Sequence, residues 1–235
     1  MKVAVMQPYL FPYIGYWQLI NAVDRFVILD DVNYIMRGYI NRNSILVNGK
    51  PHRFTIPIEK ASQNKLIMDT KLNFDEKEKK KFLATIENAY KKSPCYSKVM
   101  PLLEDIILNT EDDLAKYIQY SLEVICNYLK MKTEVYVSSE IEKDHTLHAQ
   151  ERIIEICKKM QADIYINPCG GRSLYNHEAF EKENMKLFFL DTIGENVVYD
   201  QGVGKFEKNL SIIDVMMFNE ISIIRHFLQE YELNR

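Results

Sequence analysis

The chain has 235 residues, of which 47% are hydrophobic and 27% charged, and its 30 Lys+Arg against 33 Asp+Glu give a formal charge of −3. These values exclude disordered and fibrous classes, and a chain this long buries roughly 70–75% of its unfolded surface, enough for a core without metal or disulfide staples. A nearly balanced charge provides no field to attract DNA or RNA, and no basic patch stands out, so no nucleic-acid partner is expected.

The first element is a short buried strand, Lys2 to Met6. Its apolar start resembles a signal peptide only briefly, because Gln7, Pro8 and Pro12 break the run, so a cytoplasmic location is expected. No later stretch reaches the 18 or so uninterrupted apolar residues that span a bilayer. An aromatic loop, Gln7 to Gly15, leads into a helix with Tyr16, Leu19, Ile20 and Val23 at helical spacing. Phe26 to Leu29 is a second strand, and strand, helix and strand within about 30 residues form a right-handed βαβ unit with a parallel sheet.

Asn48-Gly49 marks a tight turn between Asn43–Val47 and His52–Ile58, a small hairpin. The charged run Asp75 to Lys81 opens a helix that Pro94 should end, and two more helices are expected near Val99–Asn109 and Glu111–Lys130. Residues 75–130 thus read as a helical insertion between the two parts, 1–74 and 131–235, of an α/β core. The alternation resumes with strand Glu134–Ser138, helix His148–Met160, strand Asp163–Ile166, helix Tyr175–Glu183 and strand Leu187–Leu190. Lys208 to Leu228 closes the chain as one or two amphipathic helices, with Asn209 or Ser211 as N-cap.

Ligands of open parallel sheets bind beyond the carboxyl ends of the strands, against helix N-termini that favour anions. Three segments fall there. In the first, Gln7, Tyr9, Tyr13, Gly15 and Tyr16 belong to a loop stiffened by two prolines, which suits the wall of a pocket. Tyr13-Ile14-Gly15-Tyr16 is similar to the His-x-Gly-His motif of nucleotidylyltransferases and adenylate-forming ligases, with both histidines replaced by tyrosine. Tyrosine donates hydrogen bonds but is neutral, so binding survives the exchange better than phosphoryl transfer does. The second segment, Asn167-Pro-Cys-Gly-Gly-Arg-Ser-Leu-Tyr175, offers backbone donors at Gly170-Gly171 with Asn167, Arg172, Ser173 and Tyr175 as further contacts. Cys169 lacks an adjacent histidine and reads as a packing thiol rather than a nucleophile, like the scattered Cys95, Cys126 and Cys157.

The third segment follows the second strand. Asp30 and Asp31, then Arg37, Asn41, Arg42 and Asn43, combine strand-end carboxylates with cationic and amide donors. Asp31 is the candidate base, and Arg37 or Arg42 the fork for a diphosphate or carboxylate. His145 and His148 have the spacing of a metal pair but no third ligand, so no metal is expected.

The runs Met6–Ile20, Asp30–Asn43 and Asn209–Asn219 together resemble the WbqC-like family, over nearly the whole chain. The resemblance implies a role in bacterial surface-polysaccharide or O-antigen synthesis, with glycyl or other acyl transfer to an amino sugar as the associated activity. Joined to the His-x-Gly-His likeness, it implies a Rossmann-like α/β core of the HUP, nucleotidylyltransferase-like kind. The expected ligands are a nucleotide-linked or free amino sugar, with ATP or another nucleotide as candidate cofactor. Asp31 and Arg42 are the expected catalytic pair. Nucleotidyl transfer to a sugar phosphate and non-catalytic sugar-nucleotide binding are the alternatives. All three readings require the Tyr13 and Gly170 loops to meet at one rim of the sheet.

Overall fold

Five strands run parallel in the computed structural model, which describes residues 1–235. They are β1 (Lys2–Met6), β2 (Arg25–Ile28), β5 (Glu134–Val137), β6 (Ile164–Pro168) and β7 (Lys186–Thr192). A hairpin, β3 (Arg42–Val47) and β4 (Lys50–Thr55), lies apart from them, and β8 (Tyr231–Asn234) adds an antiparallel edge. The order across the main sheet is β5-β2-β1-β6-β7-β8. The chain therefore builds outward from β1 in one direction, then returns to its other side with β6. The β1/β6 boundary is the topological switch point, where loops diverge and leave a crevice.

Helices cover both faces of the sheet, which explains why its central strands read as apolar runs rather than alternating ones. Ala4, Phe26 and Ile28 face a cluster of 47 buried residues, whereas Val3, Val5 and Val27 face a second cluster of 12. The larger contains α1 (Ile14–Ala22) through Trp17, Leu19 and Ile20, and α7 (Ile212–Phe218) with α8 (Ile221–Phe227). It also holds Ile86 and Tyr90 of α2 (Glu76–Tyr90), Val99 and Leu103 of α3 (Tyr96–Leu108), and Tyr117 and Ile118 of α4 (Leu114–Tyr128). The segment 75–130 shares its core with α1. The smaller cluster seats α5 (Ala149–Lys159) by Ile153 and Ile156, and α6 (His177–Glu181) by Phe180.

Local chemistry sets the element ends. Asn48 and Gly49 both take positive φ, 52° and 73°, the type I′ geometry that joins Val47 to Lys50. The Asp75 carboxylate caps α2 by accepting from Glu78 N–H, and Ser211 Oγ caps α7 through Ile213 N–H. Of the one or two C-terminal helices expected, two form, separated at Asn219, which adopts an extended backbone, and the helix expected from Tyr175 begins only at His177, after a 3-10 turn over Cys169–Leu174. β8 has no strong sequence signal. Its alternation is too short to register, and only pairing with β7 makes it a strand. No helix is long and apolar enough to cross a membrane.

Candidate functional site

The loop from β1 to α1 is fixed before it reaches the surface. Phe11 is fully buried with φ 44°, and its carbonyl accepts hydrogen bonds from Asn43 Nδ2 (2.7 Å) and Ser211 Oγ (2.8 Å). Trp17 Nε1 donates to the Pro12 carbonyl at 3.0 Å. Two prolines, a left-handed residue and these bonds leave the loop one path, which brings Tyr9 and Tyr13 to the carboxyl end of β1.

A cleft of about 490 Å3 opens there. One side carries Tyr9, Tyr13, Tyr39 and Asn43; the other carries Cys169 and Gly170 at the end of β6 with Asp191 and Thr192 at the end of β7. The Tyr13 and Gly170 loops therefore meet at one rim, separated by about 155 positions in the chain. Gly15 lies at the second position of α1 and also lines the cleft. A Cβ there would stand 2.5 Å from Tyr13 Cε2 and 2.9 Å from Thr192 Oγ1, so only glycine lets the helix, the ring and β7 approach this closely. The first turn of α1 has no acidic residue and no side-chain cap, so no carboxylate of its own meets the positive end of the helix dipole, while the Tyr16 N–H is already bonded to the Tyr13 carbonyl.

Asp191 is the one ionisable carboxylate among the lining residues, and the lining includes no Lys, Arg or His. The Cys169 thiol, Asn234 and Arg172 beside Asp191 hold its carboxyl below the usual range, and the same contact with Asp191 pushes the Cys169 thiol up. Cys169 is thus a protonated thiol at neutral pH, not a thiolate. Arg172 Nη2 reaches Asp191 Oδ2 at 2.8 Å while its guanidinium rests over the Phe189 ring. Burial raises the Tyr9 and Tyr13 hydroxyls, which stay neutral donors.

The other expected site residues lie outside this cleft. Asp31 is buried between Lys143 (2.7 Å) and Arg152 (2.6 Å). Burial pushes its carboxyl up, but Lys143, Ser138 and Arg152 outweigh that and hold it below the usual range, which makes it an ion-pair partner rather than a poised base. Arg42 Nε is spent on the Gly38 carbonyl at 2.7 Å, and Arg37 is exposed in a left-handed turn. Asp30 accepts from Ser139 N–H and Oγ and borders a separate acidic cavity of about 500 Å3. Asn41 bridges Tyr34 and the Ile56 carbonyl. Tyr16 donates to the Gln7 carbonyl from a buried position, and Asn167 accepts from Tyr165. Gly171 is crowded by the Asn167 side chain, Tyr175 packs on Tyr165 and Phe180, and Ser173 is exposed on the 3-10 turn. These residues shape the loops; Tyr9, Tyr13, Gly15, Asn43 and Gly170 line the cleft itself.

Tyr39, Asp191, Thr192 and Asn209 also line the cleft; Tyr39 and Asn209 fall within the runs quoted above without a ligand role expected for them, and Asp191 and Thr192 lie in no motif. The strand-end rule that drew attention to Asp30 and Asp31 applies equally to Asp191, the residue after Leu190, and makes it a candidate beside them without ranking it above them.

The model of the WbqC-like protein family matches residues 7–226. An uncharacterised protein of Mycobacterium tuberculosis, Rv1507c, is 28% identical over 220 residues, 93% of each chain. No solved structure matches the chain.

Proposed function

The chain belongs to the WbqC-like protein family, and from that premise we propose that it is an acyl- or aminoacyl-transferase whose cleft receives a free or nucleotide-linked amino sugar. The convergence of the Tyr13 and Gly170 loops on one cleft at the switch point of a Rossmann-like sheet supports this reading most strongly. Tyrosine rings give a flat apolar wall for a sugar or base, and the uncapped start of α1 suits one anionic group of a donor. In the reaction the neutral sugar amine attacks an activated acyl carbon; a C–N bond forms, the bond from carbon to its leaving group breaks, and the proton lost from nitrogen passes to the departing group or to solvent. Such chemistry needs positioning above all.

Transfer of a nucleotidyl group is the weaker alternative because it develops charge on phosphoryl oxygens, and the cleft lining has no cationic side chain to meet that charge. The test is to incubate the protein with a nucleotide-linked amino sugar, glycine and ATP and to follow products by mass spectrometry. The expected product is the sugar amide. Magnesium-dependent pyrophosphate release with a sugar phosphate, and no amide, would favour nucleotidyl transfer; ligand binding with neither product would leave a sugar-nucleotide binding protein.

A further inference from the structure

The cleft is chemically one-sided in a way that discriminates among sugars. Its only ionised side chain is Asp191, and three tyrosines, Tyr9, Tyr13 and Tyr39, line the same cleft, with the Tyr9 and Tyr39 ring centroids 6.2 Å apart. Both charged-group and amide bonds to Asp191 end on one oxygen: Arg172 Nη2 at 2.8 Å and Asn234 Nδ2 at 3.0 Å meet Oδ2. Oδ1 takes neither bond, and the one other side chain held against this carboxylate is the neutral Cys169 thiol, which a cation can displace. Arg172 stacks on Phe189 and does not line the cleft; from outside it holds Oδ2 and offsets part of the carboxylate's charge, which leaves Oδ1 as the oxygen open to a cation in the cleft. A fixed carboxylate oxygen among electron-rich rings attracts a compact cation, and a neutral amide gains less there.

Resting on the transferase reading above, we propose that the cleft binds its acceptor sugar as the free, protonated amine, with the ammonium group on Asp191 and the sugar ring along the tyrosine wall. The N-acylated sugar, having lost the cation, is then a poor ligand. Before attack the ammonium gives one proton to solvent, leaving the neutral amine hydrogen-bonded to Asp191, so an acyltransferase has a physical basis for taking the unmodified sugar and releasing the amide. Asp191 is a substrate-binding residue in this scheme, and Tyr39, which is 58% exposed, can be altered with little risk to the core.

The test uses the full chain and three probes: D-glucosamine, N-acetyl-D-glucosamine and D-glucose. Thermal shift and isothermal titration should show glucosamine binding at least about tenfold more tightly than the other two, a difference of ~1.4 kcal/mol. Asp191→Asn keeps the size of the side chain and should abolish the preference; Tyr39→Ala should weaken glucosamine binding several-fold. Equal binding of the three sugars, no binding of any, or a preference that persists in Asp191→Asn overturns the inference. Amide formation in the product assay without any preference for the amine would refute this inference and leave the transferase reading intact. Selective glucosamine binding without amide formation would do the reverse.

Discussion

At Gly15 a single hydrogen in place of a side chain decides whether the cleft exists in its present shape. The Tyr13 ring can rotate away, but Thr192 cannot easily yield, because its hydroxyl donates to Gln18 Oε1 at 2.7 Å and Gln18 Nε2 is itself bonded to the Phe227 and Glu230 carbonyls. Gly15→Val should therefore destabilise the protein by about 1–3 kcal/mol, the range for overpacking, and abolish stabilisation by ligand in thermal-shift measurements. Unchanged ligand response would show that the loop serves packing alone. Asp31→Asn should behave differently. It would leave Lys143 and Arg152 facing each other without their shared carboxylate, at a cost of about 3–5 kcal/mol. Ligand affinity at the cleft, measured at a temperature where the variant is folded, should be retained. The depressed folded-state value of Asp31 also fixes a sign: its contribution is present above the unfolded value near 3.8 and is lost as pH falls through the lower folded value. Asp31→Asn should accordingly flatten the acid limb of the stability profile.

Among the elements, those with strong local signals formed where the residues indicated. Asn48-Gly49 dictated the hairpin turn, Asp75 the start of α2, and the continuous apolar β1 and β2 a sheet covered on both faces. The two loops of the cleft were visible for the same reason, since prolines, glycines and clustered aromatics restrict the backbone locally. Asp191 was not marked in this way, because its importance arises from which strands become neighbours, and a strand-end carboxylate looks alike in every strand until the order is known. The segment 199–214 is a similar case. Asp214 in α7 is fully buried and accepts from Tyr90 (2.8 Å), Tyr199 (2.6 Å) and Gln201 (2.8 Å), so one carboxylate ties α2, α7 and the preceding loop together. Burial raises its carboxyl above the usual value of 3.8, and the three donors act against that rise. A raised carboxyl means that stability declines as pH climbs from the unfolded value through the folded one. Tyr199→Phe removes a donor to the ionised form, so it should cost about 1–3 kcal/mol and make that decline steeper. Urea melts just above the usual carboxylate value and at neutral pH will check both.

For the molecule as a whole, the last strand links integrity of the sheet to function. β8 pairs antiparallel with β7, Phe189 opposite Asn234 through Thr192 opposite Tyr231, and so covers an edge that would otherwise present free backbone groups. The same strand supplies Asn234, whose amide helps hold Asp191 toward the cleft, and the adjoining Arg235 pairs with Glu181 of α6 at 2.7 Å. Removing residues 231–235 should therefore produce two effects with separate origins. The uncovered β7 should promote edge-to-edge association, seen as a concentration-dependent increase in apparent mass on size-exclusion chromatography. The loss of the Asn234 bond should also weaken sugar binding in whatever fraction remains monomeric. Asn234→Ala separates the two, because it keeps the backbone ladder and removes only the amide: it should stay monomeric while losing several-fold in glucosamine affinity. Full affinity in Asn234→Ala would mean that Arg172 and the Cys169 thiol suffice to orient Asp191, whereas association of that variant would mean that side chains, not the backbone ladder, protect this edge.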